Sequence, residues 1–167
     1  MDATRKALTP VPDARIRGAV PEDAEDIARV VNAAFVVERV ALEGDRTDSN
    51  HVRVMMDTGK FLVAESGSGL AGCVYIEPRG ERSYLGLLSV DPQHQGGGLG
   101  RRLLTAAEDW ARSAGSRAMD MRIISPRAEL LPFYRRLGYV ETSTSPFPPD
   151  VQTKVPSHFI HLSKPLV

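Results

Sequence analysis

Between positions 95 and 102 the chain reads Gln95-Gly96-Gly97-Gly98-Leu99-Gly100-Arg101-Arg102, and the chemistry this segment suits is the binding of an anion. Leu99, Leu103, Ala107, Trp110 and Ala114 follow at helical spacing, so the glycines stand where a helix begins. A helix start leaves four backbone N–H groups without partners, and a Ser, Thr, Asp or Asn side chain ordinarily accepts one of them. Here no capping side chain is present. The free donors and the positive end of the helix dipole favour an anion by about 0.3–1 kcal/mol when exposed. Glycines let such a ligand approach the backbone closely, and Arg101 and Arg102 add positive charge in the first turn. Two nucleotide patterns fail on spacing. A P-loop needs Lys-Ser/Thr where Arg101-Arg102 stands. The dinucleotide fingerprint needs a glycine or alanine where Arg101 or Leu103 stands, so Asp120, about 20 residues on, has no ribose role.

Two further blocks flank the glycines. Upstream lies Leu87-Leu88-Ser89-Val90-Asp91-Pro92, and downstream Phe133-Tyr134-Arg135-Arg136-Leu137-Gly138-Tyr139. With the pattern Gln-x-x-Gly-x-Gly between them, the chain resembles the GNAT superfamily of N-acetyltransferases over roughly residues 15–166, most strongly over 85–140. The resemblance implies an α+β GNAT fold: a mixed, mostly antiparallel central sheet, a parallel pair at the cofactor site, and helices on both faces. It implies acetyl-CoA as co-substrate and no metal. The loop amides would bind the pyrophosphate through Gln95, Gly96, Gly97, Gly98, Leu99, Gly100 and Arg101. Backbone groups of Leu88, Ser89 and Val90 would pair with the pantetheine arm, with Ser125 and Tyr134 completing the cofactor contacts. Gly97 stands where the family often has a basic residue, so Arg101 or Arg102 would supply that charge.

The implied reaction is attack of a primary amine on the thioester. An amine of pKa ~10.4 is neutral about once in 10³ molecules at pH 7, so a base or a water relay must remove a proton. By resemblance, Tyr134 is the general acid that protonates the departing thiolate, and the Val90 N–H holds the thioester carbonyl. Transfer would be direct. No carboxylate stands on Tyr84–Val90, where many relatives carry one, so the base is unassigned. Glu77 at the end of the preceding strand, Glu38, Glu43, His158, His161 and a water relay are the candidates. A coenzyme A-binding regulatory module without turnover is the alternative. Cys73, in an apolar strand, reads as core rather than acyl carrier.

The elements that must position these groups follow from periodicity. Strands are expected at 14–20, 61–65, 70–77, 84–90, 118–124 and 157–163, with 66–69 as a hairpin turn. Helices are expected from Pro21, at 50–56, from Gly98 to Ala114, and at 129–137, where Pro132 fits only the first turn. Alternation on 84–90 places Tyr84, Gly86 and Leu88 on one face and Leu85, Leu87 and Ser89 on the other. The same rule puts His158 and His161 on opposite faces, which argues against a shared metal. Residues 144–156 read as a proline-rich loop, in which Phe147 and Lys154-Val155-Pro156 either shape the acceptor pocket or simply pack on the sheet. Residues 1–13 read as a flexible tail and 14–167 as one domain.

Composition excludes some classes. Twenty-one basic residues balance twenty-one acidic ones, which supports neither nucleic acid nor a membrane surface as partner. The partner expected is an amine acceptor, small molecule or protein, with the chain a monomer or homodimer. One cysteine allows no internal disulfide, and the first residues lack the apolar run of a signal peptide, so a cytoplasmic protein is expected.

Overall fold

A computed structural model describes residues 14–167; the expected tail at 1–13 lies outside them. Strand β1 (Arg15–Gly18) leads through Pro21 into helix α1 (Ala24–Ala34). Asp23 secures that junction: its carboxylate accepts the Val20 N–H at 2.9 Å and both ends of the Arg17 fork at 2.8 and 3.0 Å. A 3-10 turn (Phe35–Val40) and a loop precede α2 (Ser49–Thr58), which Asp48 caps by accepting the His51 N–H. The apolar runs on either side of Gly67-Ser68 form the expected hairpin, β2 (Lys60–Ser66) and β3 (Gly69–Arg79). Next come β4 (Arg82–Val90), α3 (Leu99–Ser113), β5 (Ala118–Ile124), a 3-10 turn (Ser125–Leu130) and α4 (Leu131–Arg136). Strands β6 (Val140–Pro146) and β7 (His158–Pro165) complete the sheet. Pro132 sits in the first turn of α4, where its missing N–H costs nothing.

The strand order is β1-β2-β3-β4-β5-β7-β6, and every neighbouring pair is antiparallel except β4 and β5. Helices cover both faces, so the sheet separates two cores. One packs Ile27, Val30 and Val31 of α1 against Phe61, Val63 and Tyr75; the other packs Leu103, Leu104 and Ala107 of α3 against Val74, Ile76 and Met119. Among the described residues no helix is long and apolar enough to cross a membrane.

Two expectations need correction. Strand β6 has no counterpart among the expected strands, and its second half falls within the expected loop at 144–156. All but one of its residues are solvent-exposed, so it carries no alternating apolar signal; it is an edge strand held by the ladder to β7. The strict alternation along β4 also fails. Cys73 faces Ser89 and Tyr75 faces Gly86, so Val74 alone stands opposite Leu87 and Leu88. This β-bulge puts Leu87 at a φ of 52°, a conformation that costs a bulky residue about 1–3 kcal/mol. It also shifts the pattern: Leu85 packs with the α3 core, Leu87 with the α1 core, and Leu88 and Val90 again with the α3 core.

Candidate active site

The parallel pairing of β4 with β5 spans only Arg82–Tyr84 against Ala118–Asp120. Beyond it β5 stays with β7 as far as Ile124, while β4 bends away at the bulge. The strands open into a wedge, and a cavity of about 1000 Å³ fills it. Its walls include residues 84–88 and Val90 of β4, residues 121–124 of β5, the glycine loop, Tyr134 of α4 and the 3-10 turn after α1. Because the opening lies between strands, it joins the α3/α4 side of the sheet to the α1 side.

The bulge and the wedge together free the backbone of Val90. The Asp91 N–H donates to the Ala71 carbonyl at 2.8 Å, which makes Ala71 and Asp91 a hydrogen-bonded pair. In an antiparallel ladder such pairs alternate, so Val90, opposite Gly72, turns its N–H and C=O away from β3 toward the wedge. The C=O accepts the Gln95 side-chain amide at 3.1 Å, which fastens the glycine loop to the end of β4. The N–H faces the opening, free to donate to an acceptor placed there.

The glycine loop turns through Gly96 and Gly98, at φ values of 88° and 81°. Gly98 is the N-cap of α3 and supplies no side-chain cap, so the first-turn donors are open as the sequence predicts. Gln95, Gly96, Gly98, Leu99, Gly100 and Arg101 line the cavity; Gly97 does not. Arg102 donates to the Ala14 carbonyl at 2.7 Å, which leaves Arg101 as the first-turn cation at the cavity. Leu88, Val90 and Tyr134 line it too. Ser89 is buried, its hydroxyl bonded to the Leu87 carbonyl at 2.9 Å, and the Ser125 hydroxyl accepts the His158 N–H at 3.0 Å; neither lines the cavity.

Tyr134 is 6% exposed, and burial pushes its phenol up to about 12, so it holds its proton at neutral pH. The carboxylate candidates separate clearly. Glu77 lies outside the cavity lining, accepting the Tyr75 hydroxyl at 2.9 Å and Arg79 at 3.1 Å. These bonds, Arg79 first, hold it below the usual glutamate range. Glu43 lines the cavity but is exposed, whereas Glu38 lines it and is buried. His161 bonds the Ser145 hydroxyl at 2.6 Å, and neither it nor His158 lines the cavity. Asp120 accepts both ends of the Arg82 fork at 2.7 and 2.5 Å. Cys73 is fully buried, and burial pushes its thiol up to about 12, too high for a thiolate acyl carrier.

The loop between β6 and β7 roofs the α1 side. Lys154 donates its backbone N–H to the Ala41 carbonyl at 2.7 Å and its ammonium to the Arg39 carbonyl at 2.8 Å, and Leu42 pairs with Thr153. Phe147 stacks edge-on against Phe159 of β7 at 4.3 Å and lines the cavity, so it both packs on the sheet and shapes the pocket. The Arg122 guanidinium lies 4.0 Å over the Phe159 ring.

Residues 57–141 match the model of the acetyltransferase (GNAT) domain. The chain is 32% identical over 110 residues to the IAA acetyltransferase of Azospirillum brasilense, covering 62% of this chain and 72% of the relative. It is 31% identical over 144 residues to the L-amino acid N-acyltransferase MnaT of Escherichia coli, covering 78% and 82%. Its backbone superimposes on yncA of Salmonella typhimurium, solved with its cofactor acetyl-CoA, with a TM-score of 0.72 and 24% identity over 92% of this chain and 94% of that one. With the wedge, the uncapped glycine loop and the buried tyrosine in place, these matches identify the chain as an enzyme of the GNAT acetyltransferase family.

Proposed function

We propose that the enzyme transfers an acetyl group from acetyl-CoA directly to a primary amine. The observation that carries this reading is the wedge itself: one cavity lined by the free helix start at Gly98, the end of β4 at Val90 and the protonated phenol of Tyr134. The coenzyme lies along the α3/α4 side, its pyrophosphate on the loop amides beside Arg101 and its thioester at the Val90 N–H. The amine enters from the α1 side, attacks the carbonyl carbon, and the sulfur leaves with the Tyr134 proton. The clamped roof over that side favours a small amine over a long protein tail. The similarity to an L-amino acid N-acyltransferase supports the same size of acceptor.

The test is thiol release from acetyl-CoA in the presence of a panel of amino acids, polyamines and N-terminal peptides, with calorimetry of acetyl-CoA alone. Amine-dependent thiol release is expected. Tight coenzyme binding with no amine-dependent release would overturn the reading.

A further inference from the structure

The 3-10 turn after α1, Phe35-Val36-Val37-Glu38-Arg39-Val40, is packed against the grain of its sequence. Val36, Val37 and Val40 are 48%, 53% and 67% exposed, while Glu38 between them is 8% exposed. Turning a carboxylate inward and three valines outward opposes both hydration and the hydrophobic effect, and such local inversions mark functional positions. The turn is pinned in this orientation, because the Glu38 carbonyl accepts the N–H groups of Ala41 and Leu42, each at 2.9 Å.

Among the described residues no hydrogen bond reaches the carboxylate, and Arg127 and Arg46 act on it only through space. Its nearest cation is Arg127, 3.7 Å away and beyond hydrogen-bond length. Arg127 donates to Glu129 at 2.6 Å instead. A carboxylate that meets the cavity rather than a protein donor is free to take a donor that a ligand brings. Glu38, Arg127 and Tyr134 line the same cavity, and the Glu38 charge is felt at the Tyr134 phenol. The phenol belongs to α4 on one side of the sheet, and Glu38 to the turn after α1 on the other. They therefore flank the wedge from the two sides that an acetyl transfer needs, leaving group on one and nucleophile on the other.

We infer that Glu38 is the catalytic base: it seats the acceptor's ammonium group and removes its proton. This rests on the acetyl-transfer reading above. The ammonium gives one proton to Glu38, which passes it to solvent. The freed nitrogen lone pair forms the bond to the acetyl carbon, the C–S bond breaks, and its electrons take the Tyr134 proton to give the coenzyme thiol. The second proton leaving nitrogen restores the Tyr134 phenol by way of Glu38 or water. The products are the N-acetylated amine, the thiol and one proton. Burial raises the Glu38 pKa above the usual carboxylate range, while Arg127 and Arg46 oppose the rise and Glu129 adds to it. A weakly solvated carboxylate of raised basicity suits proton removal from an amine near neutral pH.

The experiment compares wild type with Glu38→Gln and Arg127→Gln across pH, using an amine from the panel that supports thiol release. Glu38→Gln should lower kcat by about two orders of magnitude and keep acetyl-CoA affinity in calorimetry. It should replace the acid limb of the kcat/KM profile by one set by the acceptor amine's own pKa, and recover partly with acceptors of lower amine pKa. Arg127→Gln should move the acid limb to higher pH without removing it. An unchanged acid limb in Glu38→Gln, or loss of acetyl-CoA binding in step with turnover, would overturn the assignment. If wild type releases no thiol with any amine, the acetyl-transfer reading itself falls, an outcome visible before any variant is made.

Discussion

A phenol that protonates a departing thiolate must hold its proton until the C–S bond begins to break. Tyr134 meets that condition because burial, opposed by Arg127 and assisted by Glu38, pushes it up to about 12. Tyr134→Phe removes the proton and leaves the ring, which packs edge-on against Phe133 and Tyr139 at 5.1 and 6.1 Å. The expected result is a fall in kcat of about a hundredfold with acetyl-CoA binding preserved. Calorimetry and single-turnover rates check it; an unchanged single-turnover rate would remove Tyr134 as the acid. At this scale the sequence was most legible where function is written in residue type: three glycines without a cap, Gln95 before them, a tyrosine block behind. Glu38 was legible only as one acid among several. Its distinguishing property is burial between exposed valines, which arises when the turn packs against Arg127, 89 residues away in the chain.

Elements position these groups through irregularities that periodicity does not show. Strand β4 reads as a regular apolar run, yet one residue bulges and its ladder to β3 slips by one before resuming at Ser89. The bulge follows just past Tyr84, where the pairing with β5 ends and the wedge begins. Neither Leu87 nor its neighbours announce this, because a leucine at a φ of 52° is tolerated only where tertiary packing, here in the α1 core, holds it there. The glycine loop is the opposite case, since its αL positions fall on glycines that any reader can see. The β6–β7 loop lies between these extremes: its prolines announce stiffness, whereas its attachment to the turn after α1 is tertiary. Phe147→Ala opens the roof above Phe159 on the α1 side of the wedge and leaves the glycine loop untouched. Acceptor KM should rise about tenfold, the cost of losing a well-packed aromatic contact at a binding surface, and acetyl-CoA affinity should stay constant. Equal losses in both would place Phe147 in general packing rather than in the acceptor pocket.

For the whole molecule the wedge presents a mechanical problem, because a sheet split between its central strands must be held at the closed end. Three residue pairs join β4 to β5 there. Around them Arg82 of β4 grips Asp120 of β5 and donates to the Ser163 hydroxyl of β7 at 2.8 Å, and Ser83 bonds Ser116 at 2.6 Å. One guanidinium thus spans three strands. Arg82 and Asp120 are 52% and 39% exposed, so water screens the pair and its contribution is about 0.5–1 kcal/mol. The Arg82 hydrogen bonds nevertheless hold the Asp120 carboxyl below the usual aspartate range. A depressed folded-state pKa stabilises the protein wherever the unfolded chain is also ionised, above pH ~3.9. As pH falls below that value the unfolded chain takes up protons first, and the contribution decays until it vanishes below the folded pKa. Asp120→Asn should therefore lower stability to urea by about 0.5–1 kcal/mol at pH 7, and the gap from wild type should narrow steadily as pH falls through the acid range. A gap that stays constant from pH 7 into that range would show that the clasp works through shape and hydrogen bonding alone, without the charge on Asp120.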